Sequence, residues 1–176
     1  WRASFNFMTA MGCIVLTYAF VALGETRPVS GVASSFRTWL ASSGRLLSLR
    51  TFWIFAGTLM LLSTMFFALI SGAPYVAIKI LGVSPGAFGF YLMPMVLGYI
   101  CGNFVTGRFG ASIGIGRMIT IGNTLTLLGL FVSIGLYLAG LVHPLALFGP
   151  MILTGVGNGF SLPNAIAGAV SVEPDL

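Results

Sequence analysis

The chain has 176 residues, of which 57 % are hydrophobic and only 6 % charged, with a mean hydropathy of +1.04. Soluble domains carry about 25 % charged residues because a water-facing surface must be polar, so composition excludes a soluble globular fold. The net charge of +5 comes mostly from arginines set singly in short connections, with no basic helix or aromatic-interleaved patch, which argues against nucleic acid as a partner.

Every charge sits at a joint between apolar stretches. No Asp, Glu, Lys or Arg occurs from Ala3 to Gly24, from Thr51 to Ile78, from Ile80 to Gly107, or from Met118 to Val172. A hydrocarbon core about 30 Å thick takes roughly 20 residues of helix to cross. The last stretch is long enough for two crossings, so the expectation is an all-α membrane protein with about five transmembrane helices.

Span one is predicted over about residues 3–23 and stops at Gly24-Glu25-Thr26-Arg27-Pro28, where a helix-ending glycine, charges and a proline follow one another. The chain starts at Trp1 without the short apolar region and cleavage site of a signal peptide, and it stops at Glu173-Pro174-Asp175-Leu176 directly after a span. Both ends suggest an internal piece of a longer membrane protein. Residues 28–50 hold Arg37, Arg45 and Arg50 among Phe36, Trp39, Leu40, Leu46, Leu47 and Leu49. The helix-like spacing of the apolar residues, with Arg and Trp suited to the headgroup zone, describes an interfacial amphipathic helix. Ser34, Ser35, Ser42, Ser43 and Gly44 interrupt the pattern, and a loosely ordered linker is the alternative.

Span two is predicted over about 51–78, long enough to tilt, with a softening segment at Ser71-Gly72-Ala73-Pro74. A tight turn follows over 79–87, where Ser84-Pro85-Gly86 favours a helix restart. Span three covers about 88–106 and contains Pro94, a loop takes 107–117, and span four covers about 118–138. His143-Pro144 marks another turn before span five, about 145–172, with Pro150 and Pro163 inside it. Alternation places Arg27, Arg37, Arg45, Arg50, Arg108 and Arg117 on one side and Arg2 and Lys79 on the other, which puts the long connection in the cytoplasm. The lone His143 then lies in a short outer loop as a turn residue, with no carboxylate beside it for a pH switch. Cys13 and Cys101 fall inside apolar spans and are expected to pack as small residues.

No enzyme emerges from the residue types. The chain has one histidine, no paired carboxylates and no metal-ligand spacing. Gly159-Phe160-Ser161-Leu162-Pro163 ends in proline and lacks a base, so it is no nucleophile elbow. Gly155-Val156-Gly157-Asn158-Gly159 has no preceding strand, so it is no dinucleotide loop. The 24 glycines have another use. Gly98 with Gly102, and Gly155 with Gly159, are GxxxG pairs that let helix backbones approach closely in lipid; Gly110 with Gly114 repeats the spacing in the loop. Such seams admit sliding of one helix past another as well as static packing.

Polar residues inside the spans are the candidates for function, because an amide in hydrocarbon must be paired or face water. These are Asn103, Asn123, Asn158 and Asn164, with Ser63, Thr64, Ser71 and Ser161. Thr64, Phe67, Ser71 and Tyr75 share one face of span two, and Gly157, Ser161, Asn164 and Gly168 share one face of span five. Each face either lines a pathway or bonds to a neighbouring helix.

Taken together, these residues resemble the major facilitator superfamily of transporters, most closely its Bcr/CflA-type drug-efflux branch. Leu23-Gly24-Glu25-Thr26-Arg27-Pro28 resembles the end of helix six. Ala73-Pro74-Tyr75-Val76 and Gly82-Val83-Ser84-Pro85-Gly86-Ala87-Phe88-Gly89 resemble the end of helix seven and the turn into helix eight. Asn103-Phe104-Val105-Thr106-Gly107-Arg108-Phe109-Gly110 is similar to the second copy of the loop motif G-x-L-x-D-R-x-G-R-R. Asn103 stands where the motif has its leading Gly and Gly107 where it has Asp, so Arg108 is expected to act as a cytoplasmic anchor. Residues 155–165 resemble helix ten.

The resemblance implies a partial helical bundle. Residues 1–24 would be the last helix of the first bundle, 25–50 the cytoplasmic linker and 51–176 four helices of the second bundle. It further implies an inner-membrane, proton-coupled multidrug efflux transporter working by alternating access, with another major-facilitator exporter of sugars or metabolites, or a non-transporting five-helix subunit, as alternatives. The implied partners are the lipid bilayer, small lipophilic substrates and the missing helices of the same chain. No cofactor or metal is implied beyond a proton gradient. Pathway candidates on this reading are Thr64, Phe67, Ser71, Tyr75, Tyr91, Met95, Asn158, Ser161 and Asn164, with Phe66 adding to an adaptable apolar surface. The three acidic residues all lie at span ends, so a coupling carboxylate would have to come from elsewhere in the protein.

Overall fold

A computed structural model describes residues 2–22 and 36–172. The expected stop of span one at residues 24–28, the first part of the linker and the last four residues lie outside the described residues. The elements are α1 (Arg2–Ala22), α2 (Phe36–Ser48), α3 (Arg50–Tyr75), α4 (Pro85–Ile113), α5 (Ile115–Leu138), the short α6 (Pro144–Phe148) and α7 (Met151–Val170), and α3 continues into a π-helical turn over Val76–Ile80. No strand occurs among the described residues. Five helices among them are long and apolar enough to cross a membrane, counting Arg50–Ile80 and Pro144–Val170 each as one.

The chain divides into two units, residues 1–38 and 39–176. The described part of the first is α1, an apolar helix with no buried residue, and the first three residues of α2. In the second, α7 is the central helix, packed between α4 and α5 with α3 along a third face. Nine of its positions from Thr154 to Gly168 are buried, and they are small or polar: Thr154, Gly155, Gly157, Asn158, Gly159, Ser161, Asn164, Ala165 and Gly168. Large apolar side chains such as Phe90, Ile100, Phe104, Phe131 and Leu138 are exposed. This is the arrangement lipid favours, because hydrocarbon solvates large apolar groups while small residues let helices pack.

Contacts along α7 set the direction of each neighbour. Gly168 packs on the Phe55 ring of α3, a methyl built at Gly110 of α4 would lie 4.0 Å from Asn164 Oδ1, and Ser161 bonds to α5 at Ile119 and Asn123. The start of α3, the end of α4, the start of α5 and the end of α7 therefore share one end of the bundle, and Arg50, Arg108 and Arg117 lie there. At the opposite end Ala73, Ala77, Val83, Met95, Phe148 and Met151 form a buried cluster. Phe88 meets Phe148 edge-on with ring centroids 6.2 Å apart, and Tyr91 lies against the same ring at 6.5 Å.

Several expected boundaries move. The interrupted stretch over 36–48 is helical, so Ser42, Ser43 and Gly44 do not break it. Its end is tied to α3 by the Trp53 indole N–H, which donates to the Leu47 carbonyl at 2.7 Å and so satisfies one of the carbonyls a helix end leaves open. Helix α4 starts at Pro85, earlier than expected, with Ser84 accepting from the Ala87 N–H at 3.3 Å; proline suits the first helical position because its missing N–H would be unpaired there anyway. The expected 107–117 loop is a correction. Helix α4 runs on to Ile113, so Gly107, Arg108 and Gly110 are helical, and the chain turns at Gly114 with φ +90°. Glycine weakens a helix by only about 1 kcal/mol and no proline lies in this stretch, so nothing stops α4 before a residue whose backbone lacks helical dihedrals. Span five is broken at Gly149-Pro150 into α6 and α7, because Pro150 has no N–H to continue the ladder. His143 takes a definite role: its Nδ1 accepts from the Leu145 N–H at 3.2 Å and caps α6. Cys13 and Cys101 are free thiols, and both are exposed where packing was expected. Cys101 adjoins Gly102, and one residue of helix turns it about 100° away from the seam that Gly102 enters.

Candidate functional site

Two seams hold α7. On the α4 side the two GxxxG pairs meet each other. A methyl built at Gly102 would lie 2.5 Å from the Val156 carbonyl oxygen, and one at Gly159 would lie 2.7 Å from both the Asn103 amide nitrogen and the Tyr99 carbonyl oxygen. At Gly98 the obstacle would be the Ile152 carbonyl, and at Gly155 the Met95 carbonyl. Backbone meets backbone here, so only glycine fits. The approach brings the Thr106 hydroxyl to the Gly159 carbonyl, to which it donates at 2.9 Å.

On the α5 side the stripe is Gly122, Thr126, Gly129 and Ser133, all buried at helical spacing. Thr154 donates to the Thr126 carbonyl at 3.4 Å. The Ser161 hydroxyl lies 2.9 Å from Asn123 Oδ1 and 3.2 Å from the Ile119 carbonyl. Ser133 reaches the Leu147 carbonyl at 2.9 Å and the Gly129 carbonyl at 3.0 Å. Among the described residues one buried polar atom is left out: Thr126 Oγ1 has no hydrogen-bond partner. It faces Gly157, whose Cα–H can offer only a weak contact.

The third face of α7 leaves space. A cavity of about 370 Å³ lies between α3, α4 and α7. Phe66, Phe67 and Ile70 of α3, Met95 and Tyr99 of α4, and Gly155, Asn158 and Leu162 of α7 are among its lining residues, together with Ser63. Asn158 is only 6 % exposed, and its Nδ2 donates to the Thr154 carbonyl one turn earlier at 3.2 Å. A second cavity of about 420 Å³ lies at the other side of α3, against α5, α6 and Met151.

The structure thus separates the candidates. Phe67, Met95 and Asn158 line the first cavity. Thr64, Ser71 and Tyr75, predicted to share their face, are exposed and line neither cavity; Thr64 bonds back to the Met60 carbonyl at 2.8 Å. Tyr91 packs on Phe148. Ser161 and Gly157 lie in the α5 seam, Gly168 sits on Phe55, and Asn164 donates to the Phe160 carbonyl at 2.8 Å. Asn103, the first motif residue, donates to the Tyr99 carbonyl at 2.9 Å, while Arg108 is exposed. Sequence reasoning missed Tyr99, Leu92 and Val96, which line the cavity with Met95. Their spacing of three and four residues on α4 was the signal available. It also missed the α5 stripe, which is written in the Gly122-x3-Thr126-x2-Gly129-x3-Ser133 spacing.

No family model matches the chain, and no solved structure matches it. It is 33 % identical over 114 residues to YdgK of Bacillus subtilis (strain 168), described as an uncharacterized MFS-type transporter. The matched stretch is 64 % of this chain and 28 % of that relative, so the chain spans well under a third of the relative's length. Similarity to an MFS-type transporter and five membrane-length apolar helices describe a multi-pass membrane protein.

Proposed function

We propose that this chain is part of a major facilitator transporter that moves small lipophilic molecules by alternating access. In this reading α1 closes the first bundle, α2 is the cytoplasmic linker helix, and α3, α4, α5 and α6–α7 are four spans of the second bundle. The observation that carries it is the cavity between α3, α4 and α7, apolar with a buried amide in its wall, in a chain similar to an MFS-type transporter. Pockets of about 300–1,000 Å³ with mostly apolar walls and few polar groups are typical of small-molecule sites. The close-packed seams on either side of α7 hold these spans together as one body, which suits rocking of one bundle against the other.

The finer reading is proton-driven drug efflux across the inner membrane. It is tested with the full-length protein in everted membrane vesicles, following a panel of lipophilic fluorophores. Expected are energised accumulation of at least one and its loss when a protonophore collapses the gradient. Accumulation that survives collapse of the gradient refutes proton coupling; a well-expressed protein that moves no member of the panel, nor any sugar or metabolite, refutes transport.

A further inference from the structure

The cavity wall carries an unused hydrogen-bond acceptor. Asn158 is nine-tenths buried, and only its NH₂ group can donate to the Thr154 carbonyl, which fixes which end of the amide is Oδ1. No donor among the described residues reaches that oxygen, and Asn158 lines the space between α3, α4 and α7. Ser63, on the same wall, also makes no hydrogen bond among the described residues, although Thr58 and Thr64 bond back to carbonyls one turn earlier. Among the described residues only Thr126 Oγ1 is sealed without a partner, so the Asn158 oxygen is open to the cavity and free to accept from what occupies it.

The charge of that occupant is constrained too. No Asp or Glu lies between Glu25 and Glu173, so the cavity has no carboxylate of this chain to offset the desolvation of a cation. A further helix of the protein would reach that oxygen only through a donor side chain, since its backbone N–H groups are already bonded within the helix.

We infer that the cavity between α3, α4 and α7 binds an uncharged lipophile bearing an N–H or O–H donor, with Asn158 Oδ1 as the specificity-determining acceptor. This rests on the transporter reading only for what binding leads to. Phe66, Phe67 and Tyr99 offer flat faces to an aromatic body, while the donor turns toward Asn158 and Ser63. A ligand without the donor leaves the amide oxygen buried and unpaired and binds about tenfold more weakly.

The test titrates the full-length protein in detergent with N-phenyl-1-naphthylamine, which has one N–H, and with its N-methyl derivative, which has none, following probe fluorescence. Wild type is expected to favour the N–H probe about tenfold, and Asn158→Leu to bind the two probes within about twofold of each other. Equal affinities in wild type overturn the inference, and this arm needs no variant to fold. Retention of the preference in a folded Asn158→Leu protein also overturns it. If neither probe binds and Ser63→Cys resists maleimide, a helix fills the groove and the inference falls. A donor preference without transport in vesicles supports the binding site and refutes the transporter reading; transport without a donor preference does the reverse.

Discussion

Replacing Gly155 by alanine tests the close packing of α7 on α4. A Cβ at this position would run into the Met95 carbonyl and lie 2.9 Å from the Tyr99 amide nitrogen and 3.0 Å from the Met95 carbonyl carbon. All three atoms are backbone, so no side-chain rotation relieves the clash and the helices must move apart. Ordinary van der Waals separation would need a shift of about 1 Å, which also loosens Gly98, Gly102 and Gly159 and stretches the Thr106–Gly159 hydrogen bond. Overpacking of this kind costs about 1–3 kcal/mol, and the strained hydrogen bond adds about 0.6 kcal/mol. The helix propensity of alanine returns about 1 kcal/mol, leaving a net loss of about 0.6–2.6 kcal/mol and a fall in Tm of up to several degrees for a chain of this size. The assay is thermal unfolding in detergent, with Gly57→Ala as the matched control: that glycine is also mid-helix but has nothing within 4 Å of an added Cβ, so its replacement should be neutral or stabilising. Equal Tm for the two variants would refute the close approach of α4 and α7.

Other substitutions probe separate features. Thr126→Val replaces the orphaned hydroxyl by a methyl of the same shape and should leave the melting temperature unchanged or raise it, since no hydrogen bond is lost; a clear fall would mean that Oγ1 has a partner. Gly114→Ala forces a side chain onto φ +90°, ψ 147°, a conformation nearly restricted to glycine that costs about 1–3 kcal/mol. Unfolding of Gly116→Ala, where an added Cβ is unobstructed, should be unaffected by comparison. On the proposed proton-coupled reading, Glu25→Gln should leave the flux intact in the full-length protein, because the residue is predicted at a span end and not within the membrane. Loss of coupling with expression intact would overturn that expectation.

The number and rough extent of the spans were legible in the sequence because bilayer thickness imposes a length that uncharged runs display directly. The GxxxG pairs were legible as packing devices for a different reason, since a spacing of four places both glycines on one helix face. The end of α4 was not. Gly107 and Gly110 read as loop residues by composition, yet they continue the helix, and the stop came from the dihedrals of Gly114. The separation of the polar candidates was equally hidden. Asn158 and Ser161 are three residues apart and have similar chemistry, but one lines a cavity while the other is sealed into the α5 seam.

What the sequence determined by itself is a set of membrane-length helices with small-residue stripes, because hydropathy and periodicity act along one dimension. Tertiary structure decided which stripe meets which. Gly98 and Gly102 face Gly155 and Gly159, while Gly122, Thr126 and Gly129 take the other side of α7. A helix presents three faces, and occupation of two by close-packed seams leaves the third, with Asn158, open to the cavity. That choice depends on shape complementarity between distant segments, which no local pattern encodes.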